Sequence, residues 1–324
     1  MCRSEPFRLC LGSAVFSDWK SMNELEKIPG GTSGLRPVRL SDREWIDAAA
    51  AVNPSDGCEN CFATIFIWAA LYGTLVMEWR GRAVSYNPSA RLMHFPMGDL
   101  PLPGELAELA GAFRRSGLVD ASSFIYNVPP DYPLRFPEAA AYFDFAQNMA
   151  DSDYLYSVSR LMESSGPKLR KKRNHIRQFL RLCPDFELIP MDSSNVSEAV
   201  DFALRVNAGR GVEGEGEPLR RAGEFFSELG LGGVILRCPE SGIVAMSVFS
   251  PVNSRTYTVH FEKSLREADG AAQMIVLQGA AAIADAGGRL MNREQDMGLE
   301  NLRRAKESLD PLFKYGRLRA YLRP

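Results

Sequence analysis

The sequence predicts an α+β or α/β protein of two similarly organised halves, each a mixed sheet with flanking helices. Three observations carry this. The chain has 324 residues, enough for two domains. The stretch Arg255–Lys314 reads as strand, turn, long helix, strand and second helix, the pattern of two parallel strands joined by a helical crossover. Both halves also run through strand, helix, helix, hairpin strands, helix and strand in the same order, without identity between them.

Apolar residues make up 45% of the chain and charged residues 24%, as in an ordinary soluble globular protein. The net charge of -2 excludes a global field for nucleic acid or membrane, so such a partner needs a local patch. Six scattered cysteines (2, 10, 58, 61, 183 and 238) suit a reducing cytoplasm better than a disulfide framework. The N-terminal stretch carries Arg8 inside a short apolar patch and lacks a cleavage pattern, so it does not read as a signal peptide. The uncharged run Cys61–Met77 breaks near Gly73 and reads as two buried elements rather than a membrane span.

Residues 1–35 read as a flexible leader ending in Pro29-Gly30-Gly31-Thr32-Ser33-Gly34. The first domain is expected over 36–160 and the second over 161–324. Arg36–Leu40 reads as a short strand. Ser41 and Glu44 form a capping-box pattern for a helix through Trp45–Val52. A buried helix within Cys58–Tyr72 follows, then a hairpin of Leu75–Trp79 and Ala83–Tyr86 around Arg80-Gly81-Arg82. Leu92–Phe95 is a strand, Pro103–Gly117 a helix with Leu106, Leu109, Ala110 and Phe113 on one face, and Ser123–Val128 a strand. From Lys168 to Arg181 a helix carries seven Lys or Arg residues and no acid. Phe186–Pro190 is a strand; Asn195–Val206 and Pro218–Leu229 are helices. Gly233–Arg237 and Ile243–Phe249 pair around a turn, and Leu318–Leu322 is a last strand.

The second half resembles the C-terminal domain family of phosphatidylglycerol lysyltransferases. The resemblance rests on Lys168–His175, on Tyr257–Lys263, on Asn292–Lys306 and, in the first half, on the aromatic segment Phe62–Tyr72. It covers most of residues 36–316. It implies two tandem GNAT-like acyltransferase folds, each a mixed, mostly antiparallel sheet with flanking helices, related to the Fem peptidyltransferases. It also implies transfer of an aminoacyl group from aminoacyl-tRNA to an amine or hydroxyl, including a lipid head group. The multi-span membrane half of the lysyltransferases is not in this sequence.

Two polar clusters end the crossover strands: Glu262-Lys263, and Asn292-Arg293-Glu294-Gln295-Asp296. Acyl transfer needs a base beside the nucleophile and donors for the developing oxyanion. Glu262 and Glu294 are the candidate bases, with Arg293 steadying negative charge and a strand amide near His260–Glu262 as an oxyanion donor. His260, Lys263, Asn292 and Asp296 are candidate substrate contacts. Strand alternation sends Arg293 and Gln295 to one face and Asn292, Glu294 and Asp296 to the other. On the basic helix, Lys168, Lys171, Lys172 and Arg173 are expected to meet tRNA phosphates or an anionic lipid head group. The same residues admit plainer readings: an ion-paired network holding a helix, an exposed salt bridge, a solvated basic face.

No metal is expected, because Cys58-x-x-Cys61 has no second pair and the histidines at 94, 175 and 260 are dispersed. No cofactor is expected either. Arg266–Ala271 only partly resembles an acetyl-CoA pyrophosphate loop, with one glycine and two acids. The Gly211–Gly216 loop reads as mobile and acidic, suited to a cationic aminoacyl group. The expected protein is thus a cytoplasmic aminoacyltransferase without a transmembrane segment. The alternatives are an acyl-CoA-dependent N-acetyltransferase and a non-catalytic binding module.

Overall fold

A computed structural model describes residues 34–164 and 166–324. The leader expected at 1–35 lies, but for its last two residues, outside the described residues. The chain forms two compact units. One runs to Ser55 and adds Glu59–Ser152 and Gly316–Pro324; the other comprises Asp56–Cys58 and Asp153–Tyr315. The expected cut at 160/161 therefore falls after the first strand of the second unit. No hydrophobic period marks the boundary between Ser152 and Asp153: the 3-10 turn Met149–Asp151 precedes it and a buried strand follows it directly.

The first unit holds the strands β1 (Arg36–Pro37), β2 (Leu75–Trp79), β3 (Arg82–Asn87), β4 (Leu92–His94), β5 (Ile125–Val128) and β6 (Phe143–Gln147). The second holds β7 (Asp153–Ser157), β8 (Glu187–Pro190), β9 (Gly232–Cys238), β10 (Gly242–Pro251), β11 (Thr256–Ser264), β12 (Leu290–Asn292) and β13 (Phe313–Tyr315). The last strand, β14 (Leu318–Leu322), returns to the first unit. The sheets run β1-β2-β3-β4-β5-β14-β6 and β13-β7-β12-β11-β10-β9-β8. Each is antiparallel except for one parallel pair, β4 with β5 and β11 with β12. The predicted mixed, mostly antiparallel architecture is what forms.

In the first unit, α1 (Arg43–Val52) follows a short 3-10 turn, and Ser41 makes no cap. Asp42 takes over: its carboxylate accepts from the Arg39 N–H at 2.7 Å and from Arg36 at 2.6 and 2.8 Å. Helix α2 (Phe62–Tyr72) is apolar all round and accordingly buried; Gly73, at φ +64°, ends it before β2. Among the described residues no helix is long and apolar enough to cross a membrane. Helix α3 (Pro103–Arg115) joins β4 to β5 and buries Leu106, Leu109, Ala110 and Phe113, the face expected from the spacing. Each such Leu or Phe contributes roughly 1.5–3 kcal/mol. A short helix, α4 (Tyr132–Arg135), precedes β6.

In the second unit, α5 (Val158–Glu163) leads to the basic helix α6 (Arg170–Leu182). Helix α7 (Val196–Arg210) lies on one face of the sheet, against β10 and β11, and α8 (Gly216–Glu224) packs against α7. Helix α9 (Ala271–Asp285) is the crossover between β11 and β12 and lies on the other face. Its Val276, Ala280 and Ile283 pack with Phe249, Val259 and Met291, and its Ala271, Met274 and Ile275 pack with Phe179 of α6 and Leu236. Helix α10 (Glu300–Glu307) follows β12. Helix α5 and strands β6 and β7 have no forecast in the sequence, their polar and aromatic residues showing neither period cleanly.

The end of α6 is tied to the sheet by a disulfide between Cys183 and Cys238. This corrects the reading of all the cysteines as reduced: 55 residues separate the two, so spacing gave no sign of the pair. Cys58 and Cys61 are buried thiols.

Candidate functional site

The site is built on the parallel pair. Strands β11 and β12 pair from Thr256 with Leu290 to Thr258 with Asn292, and then separate. Strand β11 continues to Ser264, whereas the chain after Asn292 stays with β7. The Arg293 N–H donates to the Tyr154 carbonyl at 3.0 Å, and the Tyr154 N–H donates to the Glu294 carbonyl at 3.2 Å. A wedge therefore opens in the sheet beyond Thr258, where among the described residues β11 has no strand neighbour on that side.

A bulge sets what lines the wedge. In the pairing of β10 with β11, Val248 faces Phe261 and Phe249 faces Val259, so His260 is an extra residue. One extra residue reverses the alternation beyond it. Glu262 pairs with Ser247, whose Oγ approaches Gly279 of α9, so Glu262 lies on the α9 face with Phe249 and Val259. His260 bonds Ser250 and lies on the α7 face. Lys263 is also sent there, where it pairs with Glu215, which in turn accepts from Asn207.

On the α9 face, Arg293 spans the wedge and donates to Glu262 at 2.5 Å. Their side chains keep only 17% and 15% of their exposure. Burial raises the Glu262 pKa, and the charges of Arg293, Lys306 and Lys263 oppose the rise. Lys306 comes from α10, its Nζ donating to the backbone carbonyls of Arg293 and Glu294. Burial pushes its pKa down to about 8, against the pull of Glu294. Lys306 thus senses both candidate carboxylates. Lys172 of α6 is half-buried, and its pKa is lowered by burial and by the charge of Arg293. It has no ion-pair partner among the described residues.

The lowered Lys306 pKa has a sign that can be tested. Between pH 8 and 10.5 the unfolded chain holds a proton that the folded one has released, so stability rises with pH across that window. The rise is expected to be roughly 3 kcal/mol. Urea unfolding over that range should show it for the wild type and not for Lys306→Met.

The alternation expected for residues 292–296 fails, because β12 stops at Asn292 and Glu294 takes φ +57°. Arg293 and Asp296 go to the α9 face, where Asp296 accepts from Tyr154 at 2.7 Å and from Arg303 at 2.8 Å. Burial would raise the Asp296 pKa, but those bonds and the Gly298 N–H together hold it below its ordinary value. Asn292 and Gln295 go to the other face. Asn292 donates to Asp153 and to the Asp56 carbonyl, both at 2.8 Å, and Gln295 lies 3.2 Å from Cys58 Sγ. Asn292, Asp296 and Lys263 are therefore committed to holding the fold.

The basic helix divides likewise. Lys168 pairs with Asp310 at 2.9 Å, and Arg173 donates to the Ser164 and Gly166 carbonyls. Lys171 is exposed. Arg170, Arg177 and Arg181 are exposed too, and helical spacing aligns them opposite buried Phe179. Lys306 closes the Asn292–Lys306 segment of the resemblance but was not among the candidate site residues. Its place in a polar helix, ENLRRAKE, carries no signal that this one lysine is buried.

The family description "Phosphatidylglycerol lysyltransferase, C-terminal" matches residues 51–321. The chain belongs to that family. No curated protein sequence matches it. Among solved structures, a conserved protein of unknown function from Bacteroides thetaiotaomicron is similar over 89% of this chain and 99% of its own. It has 29% identity and a TM-score of 0.80. The C-terminal domain of a putative lysylphosphatidylglycerol synthetase from Agrobacterium fabrum shares 16% identity over 88% and 93% of the two chains, with a TM-score of 0.60. L-PGS from Bacillus licheniformis shares 13% over 86% and 91%, with a TM-score of 0.59. FemX shares the fold at a TM-score of 0.57. For this lysyltransferase-family chain the two sheets are thus the tandem GNAT-like, Fem-type fold.

Proposed function

We propose that the second unit transfers an aminoacyl group from aminoacyl-tRNA to an amine or hydroxyl acceptor. The observation that carries this reading is Lys172: it is half-buried, has no ion-pair partner among the described residues, and lies within reach of the charge of Arg293, which itself bonds Glu262. Like charges held together out of water favour an anion between them. A phosphate or carboxylate of the donor fits that place. The outward row Arg170, Arg177 and Arg181 extends the positive surface along a polyanion.

The chemistry follows from the wedge. The acceptor lone pair attacks the ester carbonyl carbon, and its proton passes to the free oxygen of Glu262, whose raised pKa suits it to receive one. Arg293 and Lys306 stabilise the charge that develops on the carbonyl oxygen. The ester carbon–oxygen bond then breaks, and the departing tRNA hydroxyl takes the proton from Glu262. Glu294 acts on Lys306 rather than on substrate. A tRNA donor also places the protein in the cytoplasm. An anionic lipid head group remains within the acceptor class.

A CoA donor is less well served. Gly270 opens α9, the helix end such donors use, but the His175 carbonyl of α6 lies 2.1 Å from where a Gly270 Cβ would sit. Gln178 of α6 also donates to Asp269 there at 3.0 Å.

Filter retention of charged tRNA tests the reading. Wild-type protein is expected to retain it at low salt. Lys172→Glu is expected to bind at least about tenfold more weakly, with the salt slope reduced by about one ion. Absence of retention by the wild type, or an unchanged Lys172→Glu, would refute it, and tight acetyl-CoA binding by calorimetry would replace it.

A further inference from the structure

On the α7 face of the wedge, apart from the Lys263–Glu215 pair, stands a group of neutral polar side chains. His260 Nε2 lies 2.8 Å from Ser250 Oγ, and Thr258, opposite Ser250 in the ladder, shares their face. All three are buried, at 6%, 1% and 0% exposure for His260, Ser250 and Thr258. Yet His260 Nδ1 and Thr258 Oγ1 have no hydrogen-bond partner among the described residues. An unpaired buried polar group costs about 1–3 kcal/mol, and two stand side by side on one strand. The sheet itself does not require His260: without it, Val248 to Phe261 and Phe249 to Val259 would follow as a regular ladder. A bulge, a buried imidazole and two unpaired atoms are retained where the sheet opens.

We infer that Thr258, His260 and Ser250 form a subsite for a neutral hydroxyl- or amine-bearing part of the acceptor, reached through the wedge and distinct from the atom that gives its proton to Glu262. The proposal rests on the transferase reading above and assigns its acceptor side. A neutral imidazole has one N–H and one lone pair; whichever Ser250 engages, the other is left at Nδ1. A hydroxyl or neutral amine answers either, and Thr258 Oγ1 likewise both gives and accepts. A carboxylate only accepts and an ammonium only donates. Burial supports the assignment by pushing the His260 pKa down to about 3, so the ring stays uncharged. Same-face atoms two residues apart on a strand are roughly 6–7 Å apart, a gap that a group with two hydroxyls bridges.

The test is nitrogen NMR of protein labelled in its three histidines, with His260 assigned through His260→Gln. Ethylene glycol is expected to move the His260 Nδ1 resonance saturably, and acetate to leave it in place. In Thr258→Val the glycol response should weaken at least tenfold. Protein lacking His260 should keep its fold by circular dichroism, and the Thr258→Val arm stands without it. No response to glycol, an equal response to acetate, or an unchanged Thr258→Val would overturn the subsite. The tRNA retention assay reads Lys172 instead, so the two proposals fail separately.

Discussion

Gly270→Ala is expected to destabilise the second unit by roughly 3–5 kcal/mol. Gly270 caps α9 with φ +85°, a conformation that costs an L side chain about 1–2 kcal/mol. The larger share is contact. A Cβ there would sit 2.1 Å from the His175 carbonyl oxygen and 2.9 Å from Phe179 Cβ. Neither atom is the end of a flexible side chain, so α6 itself must move off α9. The disulfide at Cys183 and the buried Phe179 resist that motion. Urea unfolding measures the loss, and Lys172 should lose its place beside Arg293, weakening tRNA retention as well. A variant within 1 kcal/mol of wild type would mean that the α6–α9 contact is looser than described.

Asn292→Ala is expected to cost about 3–5 kcal/mol by the same measurement. The side chain is fully buried and makes three bonds: two donated, to Asp153 and the Asp56 carbonyl, and one accepted from the Glu294 N–H at 2.7 Å. Alanine leaves the buried Asp153 carboxylate with one donor fewer. It also frees the left-handed turn at Glu294 that directs the chain away from β11. The wedge is therefore expected to lose definition with the stability. Asn292→Asp separates the effects: its carboxylate still accepts from Glu294 but repels Asp153, so it should be no more stable than the alanine.

The legible part of this protein is what short-range pattern encodes. The apolar face of Pro103–Arg115 is spaced for a helix and buries as one. The run through Phe62–Tyr72 is apolar on every side and closes at Gly73. The β11–α9–β12 crossover was readable because both strands and the helix carry their own periods. Glu262 and Arg293 were legible as charges at strand ends, and their side chains do meet. Lys306 was not legible, since burial of a lysine depends on which carbonyls lie above it. The faces were not legible either. A bulge is defined by the partner strand, and nothing in Tyr257–Lys263 alone says that His260 is the residue without an opposite number.

The sequence by itself determined the elements, their order and the charges at their tips, because backbone conformation and burial period are properties of neighbouring residues. Only the tertiary structure decided which charges are spent on the fold and which face the wedge. Lys263, Asn292 and Asp296 are held by Glu215, by Asp153 and by Arg303. Glu262, Arg293, Lys306 and Lys172 remain together at the opening. A charge is committed or available according to what stands within a few ångströms of it, and those neighbours come from strands and helices far apart in the chain.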